Sequence, residues 1–255
     1  MSFLKGILPE VEREVERRKR ERPFHGLLPP RPKRSLIGAI RGARGAPVIG
    51  ELKLSSPSAG RLRHPEERRR LAEAMVRGGA VALSVLTEPR YFGGDPGFLR
   101  ELSDLPVPLL CKDFVLDPYQ IEEASRLGAD AILLLVAVLG RRLPSFLRRA
   151  EEEGMEALVE VTDEEEMELA LSAGARLIGI NNRDLNTLEV DLSRTERLAP
   201  LVPPGVTLVS ESGIETPEQV RRMLRAGAHA VLVGTSLMRA ERVEEKVGEL
   251  VRAWP

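Results

Sequence analysis

The hydrophobic positions of this chain recur in a fixed order: an amphipathic stretch, a glycine, a small residue and a short apolar run. The order appears in four segments, GGAVALSVL from Gly78, GADAILLLV from Gly128, GARLIGINN from Gly174 and GAHAVLVGT from Gly227. A glycine is typical of the C-terminal cap of a helix, and a continuous apolar run is typical of a strand covered on both faces. The pattern therefore predicts helices that alternate with buried parallel strands.

The four segments lie roughly 50 residues apart, which leaves room for one further strand in each interval. Four more apolar runs supply those strands: VIGELKL from Val48, VPLLCKD from Val107, EALVEV from Glu156 and VTLVSES from Val206. Eight strand–helix units in 255 residues predict a (β/α)8 TIM barrel. The alternative is an open Rossmann-like sheet, which is disfavoured because no G-x-G-x-x-G follows the first strand.

The N-terminal part of the chain precedes the eight units. We expect residues 1–255 to form one barrel domain in which residues 1–45 are an N-terminal helical extension. Residues 3–22 have a helical pattern, a proline-rich connector follows, and a short helix is predicted near Leu36 to Arg41. Two placements stay open for this extension: over the mouth of the barrel, where it could exclude water, or at the base, where it would be a plug.

The predicted strand ends carry most of the candidate chemistry. Catalytic residues of such barrels lie at the C-terminal ends of the strands. Those ends carry Glu51, Lys53, Lys112, Glu160, Asn181 and Glu211. Lone buried charges are costly, so groups that converge on one small space are expected to form pairs. Burial and opposite charges also tune their pKa values, which suits proton transfer.

The loops after the last two strands indicate a phosphate site. ESGI and GTSLM place glycines and small residues at the predicted starts of helices. Backbone N–H groups at such positions bind phosphate, and barrels often carry a phosphate site after strands seven and eight. We therefore expect Gly213, Gly234 and Thr235 to bind a phosphate group.

The composition excludes several other classes of protein. With 38 basic and 39 acidic residues, the net charge of −1 does not favour a nucleic acid or a membrane surface as partner. Cys111 is the one cysteine, which excludes an internal disulfide, fits the cytoplasm, and is expected to lie in the core facing the helices. His25, His64 and His229 lack the spacing of metal ligands, so no metal is expected. His229 and Trp254 are interpreted as structural.

Several longer motifs carry a family resemblance. They are ELKLSSPSAG, SVLTEPRYFGG, CKDFVLDPYQI, ADAILLLVAVL, LVEVTDEEEMELA, IGINNRDLNTLEVD, VSESGI and VLVGTSLMR. From about residue 48 to 240, the chain resembles the indole-3-glycerol phosphate synthases of tryptophan biosynthesis. Two departures are visible: Leu110 and Cys111 stand where the family has more polar residues, and Thr235 stands where serine or glutamate is common. None of the three is a proposed acid or base.

The resemblance implies a cytoplasmic carboxy-lyase that needs neither metal nor organic cofactor. Its substrate would be 1-(2-carboxyphenylamino)-1-deoxyribulose 5-phosphate, which loses CO₂ and water as the pyrrole ring closes. Lys112 would be the acid for ring closure, and Glu160 and Lys53 are the candidates for the later acid and base. Glu51 and Glu211 would hold the lysines charged and in place.

The resemblance also implies how the substrate binds. Asn181 would donate a hydrogen bond to a substrate hydroxyl or carboxylate, and Arg183 and Ser212 would lie beside the phosphate. A mostly apolar slot for the anthranilate ring would be formed by Ser56, Pro57, Phe92, Phe114, Leu133 and Leu185.

Two alternatives of other kinds stay open. One is another phosphate-binding barrel enzyme, either a sugar-phosphate isomerase or an aldolase with Lys112 as a Schiff base. The other is a barrel that binds without catalysis, against which the convergence of six polar groups argues. For the synthase, the expected partner is its small-molecule substrate, and the protein is expected to be a monomer.

Overall fold

The barrel forms the centre of the molecule. The structure is a computed structural model, and it describes residues 3–21, 31–57 and 59–254. Within these ranges, eight parallel strands form a closed barrel. They are β1 (Val48–Leu52), β2 (Ala82–Leu86), β3 (Leu109–Lys112), β4 (Ala131–Leu135), β5 (Glu156–Val161), β6 (Leu177–Asn181), β7 (Thr207–Glu211) and β8 (Ala230–Val233). Closure is complete because β1 pairs with both β8 and β2, with Val48 opposite Val231 and Ile49 opposite Ala82. The predicted (β/α)8 fold is confirmed.

Helices connect the strands and cover the outside of the barrel. Those described are α1 (Phe3–Glu21), α2 (Leu36–Arg41), α3 (Arg68–Arg77), α4 (Pro89–Phe92), α5 (Gly97–Leu102), α6 (Pro118–Arg126), α7 (Val136–Leu139), α8 (Leu143–Glu152), α9 (Glu164–Ser172), α10 (Ser193–Leu198), α11 (Pro217–Arg225), α12 (Thr235–Arg239) and α13 (Val243–Val251). Short 3₁₀ helices lie at Pro65–Glu67, Gly140–Arg142 and Ala199–Leu201. No helix among the described residues is long and apolar enough to cross a membrane.

Local signals in the sequence set the ends of the helices that follow β3 and β7. Asp117 and Thr216 are the N-caps of α6 and α11, and their side chains accept hydrogen bonds from the N–H groups of Tyr119 and Gln219. In both helices a proline follows the cap, where its missing N–H is not needed. Gly227, just past α11, has a φ of 113°, which favours glycine over other residues.

Side chains that point into the barrel form layers, and each layer comes from alternate strands. The layer at the base consists of Ala82, Ala131, Leu177 and Ala230. The second consists of Ile49, Leu110, Leu158 and Val209. The third comprises Ser84, Leu133, Gly179 and Leu232. The lower half of the barrel is therefore a packed and almost entirely apolar core.

The second part of the N-terminal extension closes the base of the barrel. Leu36 and Ile40 of α2 are 0% and 2% exposed and pack in one cluster with the interior side chains of the strands. The carboxylate of Glu156, at the start of β5, accepts a hydrogen bond of 2.8 Å from the N–H of Ile37. This part of the extension is a plug, which is the second of the two placements that the sequence left open.

Helix α1 lies at the opposite end of the barrel, over the loops that follow β2 and β3. The Tyr91 hydroxyl of α4 donates a hydrogen bond of 2.7 Å to Glu10. The ammonium of Lys19 lies 2.7 Å from the carboxylate of Asp117 at the start of α6. The apolar face of α1 is buried at Leu4, Ile7, Val11 and Val15. The connector over residues 22–30, with His25, lies outside the described residues.

Three other predictions concern single side chains. Cys111 is 4% exposed and packs between the barrel wall and the helices, as predicted. His229 accepts a hydrogen bond of 3.0 Å at Nδ1 from the N–H of Leu208, which agrees with a structural role. The prediction that Trp254 packs is wrong, because α13 ends at Val251 and leaves Trp254 56% exposed.

Candidate active site

Four ionisable side chains form the fourth layer of the barrel interior. Glu51, Lys112, Glu160 and Glu211 come from β1, β3, β5 and β7, near the C-terminal ends of these strands. Side chains alternate along a strand, so each points inward two positions after an inward-facing apolar residue, as Glu211 does after Val209. Where a barrel ordinarily has apolar packing, this chain has one ammonium and three carboxyl groups in a single layer.

Lys112 lies between the carboxylates of Glu160 on β5 and Glu211 on β7. Its Nζ is 2.9 Å from Oε2 of Glu211 and 3.2 Å from Oε2 of Glu160. Asn181, at the end of β6, donates a hydrogen bond of 2.8 Å from Nδ2 to the other oxygen of Glu160. Lys112 is therefore held by two strands, and Glu160 is held by two donors.

The first strand contributes a second ion pair. Nζ of Lys53 is 2.8 Å from Oε1 of Glu51, and Glu51 is 4% exposed. Burial acts to raise the pKa of Glu51, but the charges of Lys53 and Lys112 outweigh it, so this pKa lies below the ordinary glutamate value. Glu51 is therefore an anion at neutral pH, beside two cations.

Lys112 and Glu211 respond in different ways to burial. Burial alone would lower the pKa of Lys112, but the carboxylates of Glu211, Glu160 and Glu51 raise it above the ordinary lysine value. Burial raises the pKa of Glu211 to about 7, although Lys112 acts in the opposite direction. Oε1 of Glu211 also lacks a hydrogen-bond partner within the described part of the chain. At neutral pH the ammonium is firmly charged, whereas Glu211 is near its titration point.

Two glycines leave room for these carboxylates. A Cβ atom at Gly179, in the layer below, would overlap Oε1 of Glu211. A Cβ atom at Gly234, after β8, would overlap Oε1 of Glu51. A larger residue at either position would therefore require the neighbouring carboxylate to move.

An apolar cavity of about 110 Å³ opens above the charged layer. The rings of Phe92 and Phe114 are tilted by 44°, with their centroids 6.2 Å apart. Among the apolar residues that line the cavity are Leu86, Phe92, Phe114, Leu133, Leu135 and Leu185. Lys112, Glu160 and Asn181 line it as well, so the cavity presents both apolar and polar groups.

A second, polar cavity of about 150 Å³ adjoins the first. Both are lined by Glu51, Lys53, Lys112, Arg183 and Ser212. Gly213, Gly234, Thr235 and Arg239 line the polar cavity alone. Ser212 and Gly213 have φ values of 69° and 78°, and a non-glycine residue in this region of backbone conformation carries strain. The strained turn after β7 thus faces a cavity that also contains cationic side chains.

The loop after β6 holds Arg183 and covers the strained turn. The guanidinium of Arg183 donates a hydrogen bond of 2.6 Å to the carbonyl of Leu188, and its backbone N–H donates one of 3.0 Å to Oδ1 of Asn181. A Cβ atom at Gly213 would overlap the side chain of Val190, so the loop can close over the turn only because residue 213 is glycine.

The comparisons with known proteins agree with one another. The family profile described as indole-3-glycerol phosphate synthase matches residues 4–250. The indole-3-glycerol phosphate synthase of Methanocaldococcus jannaschii is 44% identical over 252 residues, which cover 97% of this chain and 90% of that protein. The enzyme of the same name from Methanopyrus kandleri is 45% identical over 252 residues, 97% of each chain. The chain belongs to the indole-3-glycerol phosphate synthase family.

A solved structure of low sequence identity shares the fold. The structure described as "Native KDPGal structure" has a TM-score of 0.60 and 20% identity, and the match covers 81% of this chain and 91% of that one. At this identity the likeness supports the barrel and nothing more specific.

Ser56 and Pro57, which the family resemblance assigned to the ring slot, are not among the residues that line the apolar cavity. After Lys53 the chain forms a small hairpin, in which Ser55–Ser56 pairs with Gly60–Arg61. Pro57 is exposed in its turn, and Oγ of Ser56 accepts a hydrogen bond of 3.1 Å from the N–H of Ala59. Their place in the ring slot stays a prediction of the resemblance, whereas the other predicted site residues line one or both cavities.

Glu88 and Arg239 are among the cavity-lining residues that sequence reasoning missed. The carboxylate of Glu88 accepts hydrogen bonds from the N–H groups of Arg90, Tyr91 and Phe92, and so fixes the short helix that carries Phe92. An acidic residue directly before a proline is a recognisable helix start, which could have identified it. Arg239 ends α12 and had no signal in the sequence beyond its distance from Thr235. Among the described residues, no group of His, Cys, Asp and Glu is arranged to hold a metal ion.

Proposed function

We propose that this protein is an indole-3-glycerol phosphate synthase that closes the indole ring of 1-(2-carboxyphenylamino)-1-deoxyribulose 5-phosphate in tryptophan biosynthesis. The observation that carries the proposal is the position of Lys112. Its ammonium lies where the apolar and polar cavities meet, with Glu211 at 2.9 Å and Glu160 at 3.2 Å. The substrate has an aromatic ring at one end, a phosphate at the other and a carbonyl between them.

The two cavities support one orientation of the substrate. The carboxyphenyl ring fits the apolar cavity beside Phe92 and Phe114. The phosphate fits the polar cavity, where Gly213, Gly234 and Thr235 offer backbone N–H groups and Arg183 offers a cation. In this orientation the ribulose carbonyl lies next to Lys112.

Ring closure needs an acid at that carbonyl. The ring carbon that bears the carboxylate attacks the carbonyl carbon, the new C–C bond forms, and the carbonyl electrons move to oxygen. Lys112 supplies the proton to this oxygen, because its raised pKa keeps it an ammonium in a water-poor site. Loss of CO₂ then returns the electrons of the broken C–C bond to the ring and restores aromaticity.

Dehydration needs a second acid and a base. We assign the proton that leaves with the hydroxyl group to Lys53, which Glu51 holds at 2.8 Å. We assign removal of the last carbon-bound proton to Glu160, whose two oxygens accept from Lys112 and Asn181 and are thereby oriented. Asn181 acts on this step by holding Glu160.

The overall reaction involves no net oxidation or reduction, so it requires no redox cofactor, and the two ammonium groups supply the electrophilic assistance that a metal would give. We further propose that the protein acts as a monomeric single-domain barrel in the cytoplasm, with residues 1–45 as its N-terminal extension and without a nucleic-acid partner. The balanced charge of 38 basic and 39 acidic residues supports the last point.

The direct test is to incubate the protein with the carboxyphenylamino substrate and to follow indole fluorescence and CO₂ release. We expect both signals in a one-to-one ratio. CO₂ without indole would contradict ring closure, and neither signal would contradict the function. A Schiff-base aldolase would instead form a covalent adduct between its substrate and Lys112 that borohydride traps. The raised pKa of Lys112 disfavours this adduct, because an amine must lose its proton before it can act as a nucleophile.

A further inference from the structure

The polar cavity has two walls that come from distant parts of the chain. One wall is the loop after β1, which begins at Lys53 and includes the hairpin. The other is the turn into α12, which begins at Thr235. A phosphate that is to be bound by both walls requires a fixed distance between them.

The side chain of Arg63 connects these walls. Nε of Arg63, in the loop after β1, donates a hydrogen bond of 2.7 Å to the carbonyl of Met238. One Nη of the same guanidinium donates a hydrogen bond of 2.5 Å to the carbonyl of Ala240. Both carbonyls belong to the C-terminal end of α12, where a cation is favourable.

The contact continues from Arg63 to Lys53 through the backbone. The N–H of Arg63 donates a hydrogen bond of 3.1 Å to the carbonyl of Leu54, and the N–H of Leu62 donates one of 2.8 Å to the same oxygen. Leu54 follows Lys53 directly and is 3% exposed. A shift of Arg63 therefore moves the residue next to Lys53.

Helix α12 depends on such external contacts because it is short. It has five residues, and a helix of this length is not stable on the strength of its own hydrogen bonds. Leu237 and Met238 are buried, which anchors one side of the helix but leaves its carbonyl end to Arg63.

We propose that Arg63 is a positioning residue that fixes the phosphate end of the cavity relative to Lys53. Its side chain does not line the polar cavity, so Arg63 acts on the phosphate through α12 and Leu54. This inference rests on the proposed function, since it assumes that the polar cavity binds the substrate phosphate.

The test compares Arg63→Ala with Arg61→Ala. Arg61 lies two residues earlier, is exposed, and makes no side-chain hydrogen bond or ion pair with the described residues. We expect Arg63→Ala to raise both the inhibition constant of inorganic phosphate and KM by about tenfold. The value of kcat should change by less than about threefold. Arg63→Lys, which keeps the charge but not the forked geometry, should lie between Arg63→Ala and the wild type. Arg61→Ala should match the wild type.

Three results would overturn the proposal. The first is wild-type phosphate inhibition and KM in Arg63→Ala. The second is an equal loss of affinity for anthranilate, which carries the ring but no phosphate, because this would indicate general loosening. The third applies if Arg63→Ala does not fold: Arg63→Lys with unchanged phosphate inhibition would then contradict the role. A wild-type protein without turnover would contradict the proposed function instead, before any variant is compared.

Discussion

Replacing Glu211 with glutamine is expected to stabilise the fold above neutral pH and to slow the reaction. Glu211 is 1% exposed, and its pKa is raised to about 7 from an ordinary 4.5, with burial as the largest cause. Deprotonation of Glu211 therefore costs more in the folded protein than in the unfolded chain. Glutamine keeps the shape of the side chain and has no proton to lose.

The size and sign of the effect follow from these two pKa values. The gap of about 2.5 between them corresponds to about 3 kcal/mol of unfolding free energy. Because the folded-state pKa is the higher one, this stability is fully present below about pH 4.5 and is lost as the pH rises through 7. The advantage of Glu211→Gln over the wild type should thus be small at pH 5 and approach about 3 kcal/mol at pH 8.

Denaturant unfolding of both proteins at pH 5 and pH 8 measures this difference. For a chain of this length, about 3 kcal/mol corresponds to roughly 6–12 °C in Tm. Glu51→Gln is the matched control from the same layer, because the pKa of Glu51 is lowered and its charge stabilises the fold. That stability is present above the unfolded-state pKa, so Glu51→Gln should be destabilised at both pH values.

Glu211→Gln should also lose turnover by about tenfold or more, since Lys112 loses the partner at 2.9 Å. More stability with less activity is the trade-off expected where a site holds groups that the fold alone would not choose. The reasoning is refuted if Glu211→Gln is less stable than the wild type at pH 8. It is also refuted if the stability difference is the same at pH 5 and pH 8.

Three further predictions concern the charged layer and the two ends of the barrel. Lys112→Ala should lower kcat by roughly 10² to 10⁴ while circular dichroism still reports a folded barrel, and an activity within tenfold of the wild type would contradict its role as the acid. Gly179→Ala should displace the carboxylate of Glu211 and reduce kcat as Glu211→Gln does, so an unchanged kcat would show that this position of the carboxylate is not required. Removing residues 1–21 should lower kcat/KM in a protein that still folds, whereas removing residues 31–41 should prevent folding because it opens the base of the barrel. Steady-state kinetics and circular dichroism of the two deletion variants measure these effects, and the reverse result would contradict both assignments.

The barrel could be predicted because its signals are local. Caps such as Asp117 and Thr216 mark helix starts, and an uninterrupted apolar run marks a strand that is covered on both faces. Alternation along each strand then predicts which residues point inward, so Glu51 and Lys53 could be assigned to one face from the sequence alone.

Pairing across the barrel could not be predicted in the same way. The hydrogen bond from Asn181 to Glu160 depends on the register between neighbouring strands of the barrel. No local sequence pattern indicates this register. The hairpin of Ser55–Ser56 with Gly60–Arg61 also had no local signal that was recognised in the sequence. The placement of the N-terminal extension was undecided for the same reason, and the structure uses it at both ends of the barrel.

The position of the charged layer explains why the base of the barrel needs its plug. Burying Glu211 with a pKa of about 7 makes the ionisation of this side chain a cost to folding at physiological pH. The three layers beneath it are apolar apart from Ser84, and Leu36 and Ile40 of α2 complete this core where the strands begin. Because hydrophobic burial scales with the area removed from water, the closed base is one part of the molecule that offsets this cost, beside the apolar layer between the strands and the helices. The chemistry at one end of the strands therefore depends on tight apolar packing at the other.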